Sequence, residues 1–158
     1  MARRTKLIIL SVVIVLLGFL RDYFFYNINW ILKTLTENRP NQALPEFHFL
    51  LDWSISKIVI TKWILTILFF SIFGTLTFLI IKIGFRSKLC NRITLLVFAG
   101  LFCISGLLFV LYKALGSPMN IYAIIRTLMG LGQSFVPLIL LSITFKFFPL
   151  SSKIDQEY

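Results

Sequence analysis

Acidic side chains are scarce in this chain: six Asp and Glu stand against sixteen Lys and Arg. Charged residues of both signs make up 14% of it, where a soluble domain carries about 25%. Histidine occurs once and cysteine twice. Each shortage excludes something. Cys90 precedes an apolar run and Cys103 lies inside it; on one helix the rise between them is about 20 Å, beyond disulfide reach. With no CxxC and no His/Cys cluster, no metal site and no cofactor are expected. His48 follows Pro45 in a loop, has no second ligand or nucleophile beside it, and reads as an interfacial residue. There is no paired-carboxylate site, nucleophile elbow, phosphate-binding glycine loop or HExxH, so no enzyme is expected.

What is abundant is apolar. Hydrophobic residues make up 58% of the chain and seventeen are Phe; the mean hydropathy is +0.91. This composition describes an all-α, polytopic integral membrane protein of one domain. The net charge of +10 does not point to nucleic acid. The basic residues sit at the ends of apolar runs, where they act as topology and headgroup signals, and no soluble basic face remains to bind a nucleic acid.

The apolar runs predict four transmembrane helices, at about 7–25, 58–81, 93–112 and 121–145, with an outer loop at 26–57 and a cytoplasmic tail at 146–158. Arg3, Arg4 and Lys6 ahead of the run 7–20 resemble the start of a signal peptide, but no small-x-small cleavage site follows. An uncleaved first helix is therefore expected. In the loop, Pro40 and Pro45 predict a bend rather than a further element. The Trp-bearing pieces 28–35 and 47–55 read as interfacial amphipathic segments, or else as a small extended lid. Residues 63–81 and 93–112 carry no charge, and Gly100, Cys103, Ser105 and Gly106 give the third helix the small residues that close packing prefers. Gly116 and Pro118 predict a tight turn at 113–120, and residues 150–158 a short, frayed tail. Arg3, Arg4, Lys6, Lys82, Arg86, Lys88, Arg92, Lys146 and Lys153 fall on one side of this arrangement, and the other seven of the sixteen basic residues on the opposite side. By the positive-inside rule both termini are cytoplasmic.

The last run opens Arg126-Thr-Leu-Met-Gly-Leu-Gly-Gln-Ser-Phe-Val-Pro137. At about 100° per residue, Arg126, Gly130, Gln133 and Pro137 share one side of a helix. Polar groups at membrane depth face protein or a hydrated cavity. Pro137 cannot donate to the carbonyl of Gln133, so a kink is expected there. Gln133 then bonds a neighbouring helix of the same bundle or helps to hold a ligand, and Gly130 admits a close helix. In the predicted topology Arg21, Asp22, Lys62 and Arg126 reach one membrane level, with Asp22 pairing to Arg126 or Lys62. These four form a candidate outer-face polar cluster. It reads as snorkelling cations with a structural ion pair, as a cationic pocket for an anionic headgroup, or as a contact surface for another membrane protein.

Three motifs carry a family resemblance: Arg21-Asp-Tyr-Phe-Phe-Tyr-Asn-Ile-Asn29, the outer-loop Leu44-Pro45, and Arg126-x-Leu-Met-Gly-x-x-Gln-Ser-x-x-Pro137. With them the chain resembles small four-helix membrane proteins associated with bacterial exosortases. The resemblance implies a non-enzymatic accessory in the sorting and anchoring of exported proteins at the bacterial inner membrane, and it carries over no catalytic residue. The first expectation is accordingly an accessory or assembly protein. Its Gly130, Gln133 and Pro137 face docks another integral membrane protein, with homo-oligomerisation also open. The second is a protein binding membrane lipids through an anionic headgroup among Arg21, Lys62 and Arg126, and the third a small transporter.

Overall fold

A computed structural model describes residues 2–116 and 119–147. Pro118 of the expected turn and the tail residues 148–158 lie outside the described residues. The chain is helical, and no strand occurs among the described residues. Helix α1 spans Arg3–Glu37, α2 Ile55–Phe85, α3 Lys88–Ala114, α4 Met119–Gly132 and α5 Val136–Phe147; a short 3-10 helix, Pro45–Asp52, lies between α1 and α2. Each of α1, α2 and α3 is long and apolar enough to cross a membrane, and α4 and α5, which meet at 62°, make a fourth if counted as one broken span.

The first helix corrects the sequence reading most. It was expected to stop near residue 25, with 28–35 lying apart as an interfacial piece; it continues to Glu37 and ends at Asn38, whose φ of 54° makes a left-handed cap. The reason is in the residues. From Tyr26 to Glu37 there is no Gly or Pro, and Ile28, Ile31, Leu32 and Leu35 recur at helical spacing. That stripe packs on Ala43, Phe47 and Leu50 of the returning chain and on Ile58 of α2. The loop is therefore short and partly helical. Pro45, expected to mark a bend, opens the 3-10 helix instead, as its fixed φ suits a first helical position. Asn27, 1% exposed, ties the segment down. Its Nδ2 donates to Tyr23 O at 2.7 Å and its Oδ1 accepts from Leu44 N at 2.8 Å.

Helix α2 starts at Ser54, whose Oγ accepts from Lys57 N, and α3 starts at Ser87, whose Oγ accepts from Cys90 N; both are N-caps of the usual chemistry. Both helices begin earlier and end later than the uncharged runs alone suggest, because Lys57, Lys62, Lys82, Lys88, Arg92 and Lys113 ride on their ends. Helix α2 is the centre of the bundle. It packs against α1, α3, α4 and α5, while α4 packs on α3, and α1 and α4 are not among the closely packed pairs. Phe70 and Phe98 join Ile125 and Met129 in the core between α2, α3 and α4; Ile14, Phe69 and Phe73 fill the α1–α2 contact.

The last span was expected to run unbroken from 121 to 145 with a kink. It is interrupted at residues 133–135. Pro137 is the second residue of α5, where a missing N–H costs no helical bond. Ser134 closes both ends of the gap, donating from Oγ to Leu131 O at 2.7 Å and accepting from Val136 N at 3.3 Å. Gly132 is required by a close approach: a Cβ there would collide with the ring of Phe70.

Candidate functional site

Three helices contribute one stripe each to a cavity of about 160 Å³. From α1 come Arg21, Phe25, Asn29 and Leu32, spaced by four, four and three residues and so stacked on one face. From α2 come Val59, Lys62, Trp63 and Thr66. From α4 come Tyr122, Ile125, Arg126, Met129 and Gly130, and Gln133, just past the end of the helix, completes the lining. The volume is below the about 300–1,000 Å³ of pockets that engulf a whole drug-sized ligand. It has room for a polar group.

Arg21 is half-buried and held from several sides. Its Nε donates to Oε1 of Gln133 at 3.3 Å, and its Nη1 lies 2.9 Å from Oδ1 of Asp22. Its Cζ stands 5.7 Å from the centre of the Phe25 ring, within cation–π range. Its Nη2 lies beside Gly130, 3.6 Å from where a Cβ there would stand, an ordinary contact distance. Lys62 donates from Nζ to Oδ1 of Asn29 at 2.6 Å. Arg126 reaches the cavity from α4 and forms no ion pair among the described residues.

Gln133 is 2% exposed and its amide is used at both ends: Nε2 donates to the carbonyl of Thr66 at 2.9 Å, and Oε1 accepts from Arg21. A buried amide with both ends paired avoids the penalty of an orphaned group. One side chain thus joins α1, α2 and the α4–α5 break. Of the two sequence readings of this residue, the hydrogen bond to a helix of the same bundle is present, and the same residue also lines the cavity.

The four residues of the expected polar cluster separate three to one. Arg21, Lys62 and Arg126 meet at the cavity; Asp22 lines none of it, its side chain is 70% exposed, and its partner is Arg21 rather than Lys62 or Arg126. The cause is angular, since adjacent residues on a helix are about 100° apart. Gly130 and Gln133 line the cavity, whereas Pro137 is buried one break further on, in α5. His48 is exposed on the 3-10 helix, where its Nε2 lies 3.3 Å from Ala43 O, and it does not line the cavity.

No protein-family model, curated protein or solved structure matches this chain.

Asn29, Thr66 and Tyr122 are lining residues that sequence reasoning did not single out. Asn29 lies eight residues after Arg21, two steps of four on the same face, and that signal appears once α1 is allowed to pass residue 25. Thr66 contributes its main-chain carbonyl, which no side-chain pattern announces. No acidic side chain lines the cavity among the described residues. Asp22 offsets Arg21 from outside the cavity, and the charge left on Lys62 and Arg126 is mutually repulsive, more strongly the drier the site; an anion placed among them removes that cost.

Proposed function

We propose that this chain is a polytopic membrane protein that binds an anionic headgroup in the cavity between α1, α2 and α4. The observation that carries the reading is the convergence of Arg21, Lys62 and Arg126 on a cavity with no acidic lining residue. Ionisable side chains within membrane spans mark binding sites and their partners, and guanidinium pairs are well matched to phosphate oxygens. The spread of basic residues supports a cytoplasmic position for both termini, as in a bacterial inner membrane. That orientation brings the cavity to the outer headgroup level.

The test is binding to the purified protein in nanodiscs of neutral lipid doped with anionic lipid. The wild type retains the anionic lipid selectively and is stabilised by it thermally. Arg126→Gln keeps the helix and removes a charge-assisted donor. It is expected to weaken the selective retention about tenfold or more. Equal stabilisation of the wild type by neutral and anionic lipids would end this reading.

A second reading, an accessory subunit of an exosortase-type sorting system, is supported by α3. The Gln133 and Pro137 side of the last span is buried inside the chain, but α3 leaves a side uncovered. A Cβ on Gly106 would meet nothing within 4 Å, and Cys103, Leu107 and Val110 on the same side of α3 are exposed. Small residues on an uncovered helix face suit a close second helix. Tagged chain purified from native membranes is expected to bring down a stoichiometric membrane protein, lost in Gly106→Leu. Recovery of the chain alone would remove this reading.

A further inference from the structure

We propose that the headgroup is a phosphomonoester carrying two negative charges, on an amphiphile that enters sideways between α1 and α4. This rests on the headgroup reading and specifies its ligand. The charge of the site sets the first part. Arg21, Lys62 and Arg126 bring three positive charges to the cavity; Asp22, 2.9 Å from Arg21 but on the outside, offsets one. Two remain. A phosphomonoester carries about −1.5 to −2 near pH 7 and presents three terminal oxygens, whereas a phosphodiester carries one charge on two such oxygens.

The unused donors agree with three oxygens. Nε and Nη1 of Arg21 are engaged by Gln133 and Asp22, and Nη2, beside Gly130, is left. Lys62 has one partner, Asn29, and an ammonium has three N–H groups. Arg126 has no ion-pair partner among the described residues, so its planar fork is open to a bidentate contact. One donor group from each of three helices converges on the cavity, matching a group with one terminal oxygen for each.

The route follows from the packing. Helix α1 lies along α2, α4 lies along α3 and α2, and α1 and α4 are not a closely packed pair. The cavity sits between those two, and the bond joining its walls across that side is Arg21 to Gln133. Phe25, Leu32, Val59, Trp63, Ile125 and Met129 are the apolar residues beside the cations. A volume of about 160 Å³ takes a headgroup and leaves the acyl chains outside, which an amphiphile resting in the bilayer satisfies without leaving it.

The experiment uses the full chain in nanodiscs of phosphatidylcholine doped with phosphatidic acid, a monoester, or phosphatidylglycerol, a diester of similar tail. Thermal midpoint and lipid retained in native mass spectrometry are read. Phosphatidic acid is expected to be retained about tenfold over phosphatidylglycerol, the worth of one further charge-assisted hydrogen bond. The preference should shrink below about pH 6, where the monoester regains its second proton. Arg126→Gln should reduce the monoester to the diester's level, and Arg126→Lys should restore part of the difference. Equal retention of the two anionic lipids overturns the dianion proposal and leaves the headgroup reading standing. No advantage of either over phosphatidylcholine overturns both. Displacement of bound phosphatidic acid by millimolar inorganic phosphate or glycerol 3-phosphate would overturn entry from the membrane and assign the site to a soluble phosphate.

Discussion

Gly132 and Gly100 look alike in the sequence, and the structure gives them opposite weights. The Phe70 ring occupies the space of a Cβ on Gly132, whereas nothing lies within 4 Å of one on Gly100. Any shift of Phe70 disturbs its ring contacts with Phe98 at 5.7 Å and Phe102 at 5.8 Å. Overpacking costs about 1–3 kcal/mol, and the helix propensity regained from glycine, about 1 kcal/mol in a helix interior, is smaller at a helix end. Gly132→Ala is therefore expected to lower the thermal midpoint, while Gly100→Ala leaves it unchanged or raises it. Adding Phe70→Leu to Gly132→Ala should recover part of the loss. If the Gly132→Ala protein melts with the wild type, the close approach of α4 to Phe70 is not what that glycine serves. At this scale the sequence announced the cations and the glutamine, because a charged or amide group in an apolar run stands out. It could not announce the carbonyl of Thr66, or that Asp22 turns away while its neighbour Arg21 turns in.

Among the elements, the segment after the first helix shows how a correct pattern can be assigned to the wrong object. Ile28, Ile31, Leu32 and Leu35 were legible as an amphipathic stripe, and an interface was assumed to cover it. The stripe is covered by the chain's own return, through Ala43, Phe47 and Leu50. At the other end of the molecule Pro137 signalled a kink at the Gln133 carbonyl, and the span is interrupted outright at 133–135, because a proline is accommodated at the start of a helix better than inside one. The return segment depends on Asn27, which holds Leu44 N and Tyr23 O together. Asn27→Ala leaves the Leu44 N–H without a partner in a half-buried setting, a cost of about 1–3 kcal/mol. The expected result is faster proteolytic cleavage after Arg39 with the helix content of the bundle retained. Cleavage at the wild-type rate would mean that the apolar cluster alone holds the segment.

For the molecule as a whole, four runs in the sequence predict four spans; three helices qualify singly and the bent α4–α5 pair makes the fourth if counted as one, while α2 and α3 outrun their expected bounds at both ends because charged residues ride there. The orientation remains part of the proposed function, and it has a direct check. Single cysteines placed at Gln42 and at Arg86, in a chain with Cys90 and Cys103 replaced by serine and alanine, should label from opposite faces of a sealed vesicle, with Arg86 on the cytoplasmic side. Labelling of both from one face would exclude the proposed topology.

Helix α1 is fastened differently from its neighbours. Across the stretch from Arg3 to Arg21, Ile14 is the one residue of the helix that is buried, with Leu7, Leu10 and Leu17 partly buried beside it against α2. At one end Arg3 donates to the carbonyls of Ile83 and Gly84, where α2 runs out of intrahelical partners. At the other, Arg21 donates to Gln133. These two attachments, about 27 Å apart along the axis, behave like the upper and lower pivots of a gate post. They set the rotation of α1 about its own axis, and with it the direction in which Phe25 and Asn29 point.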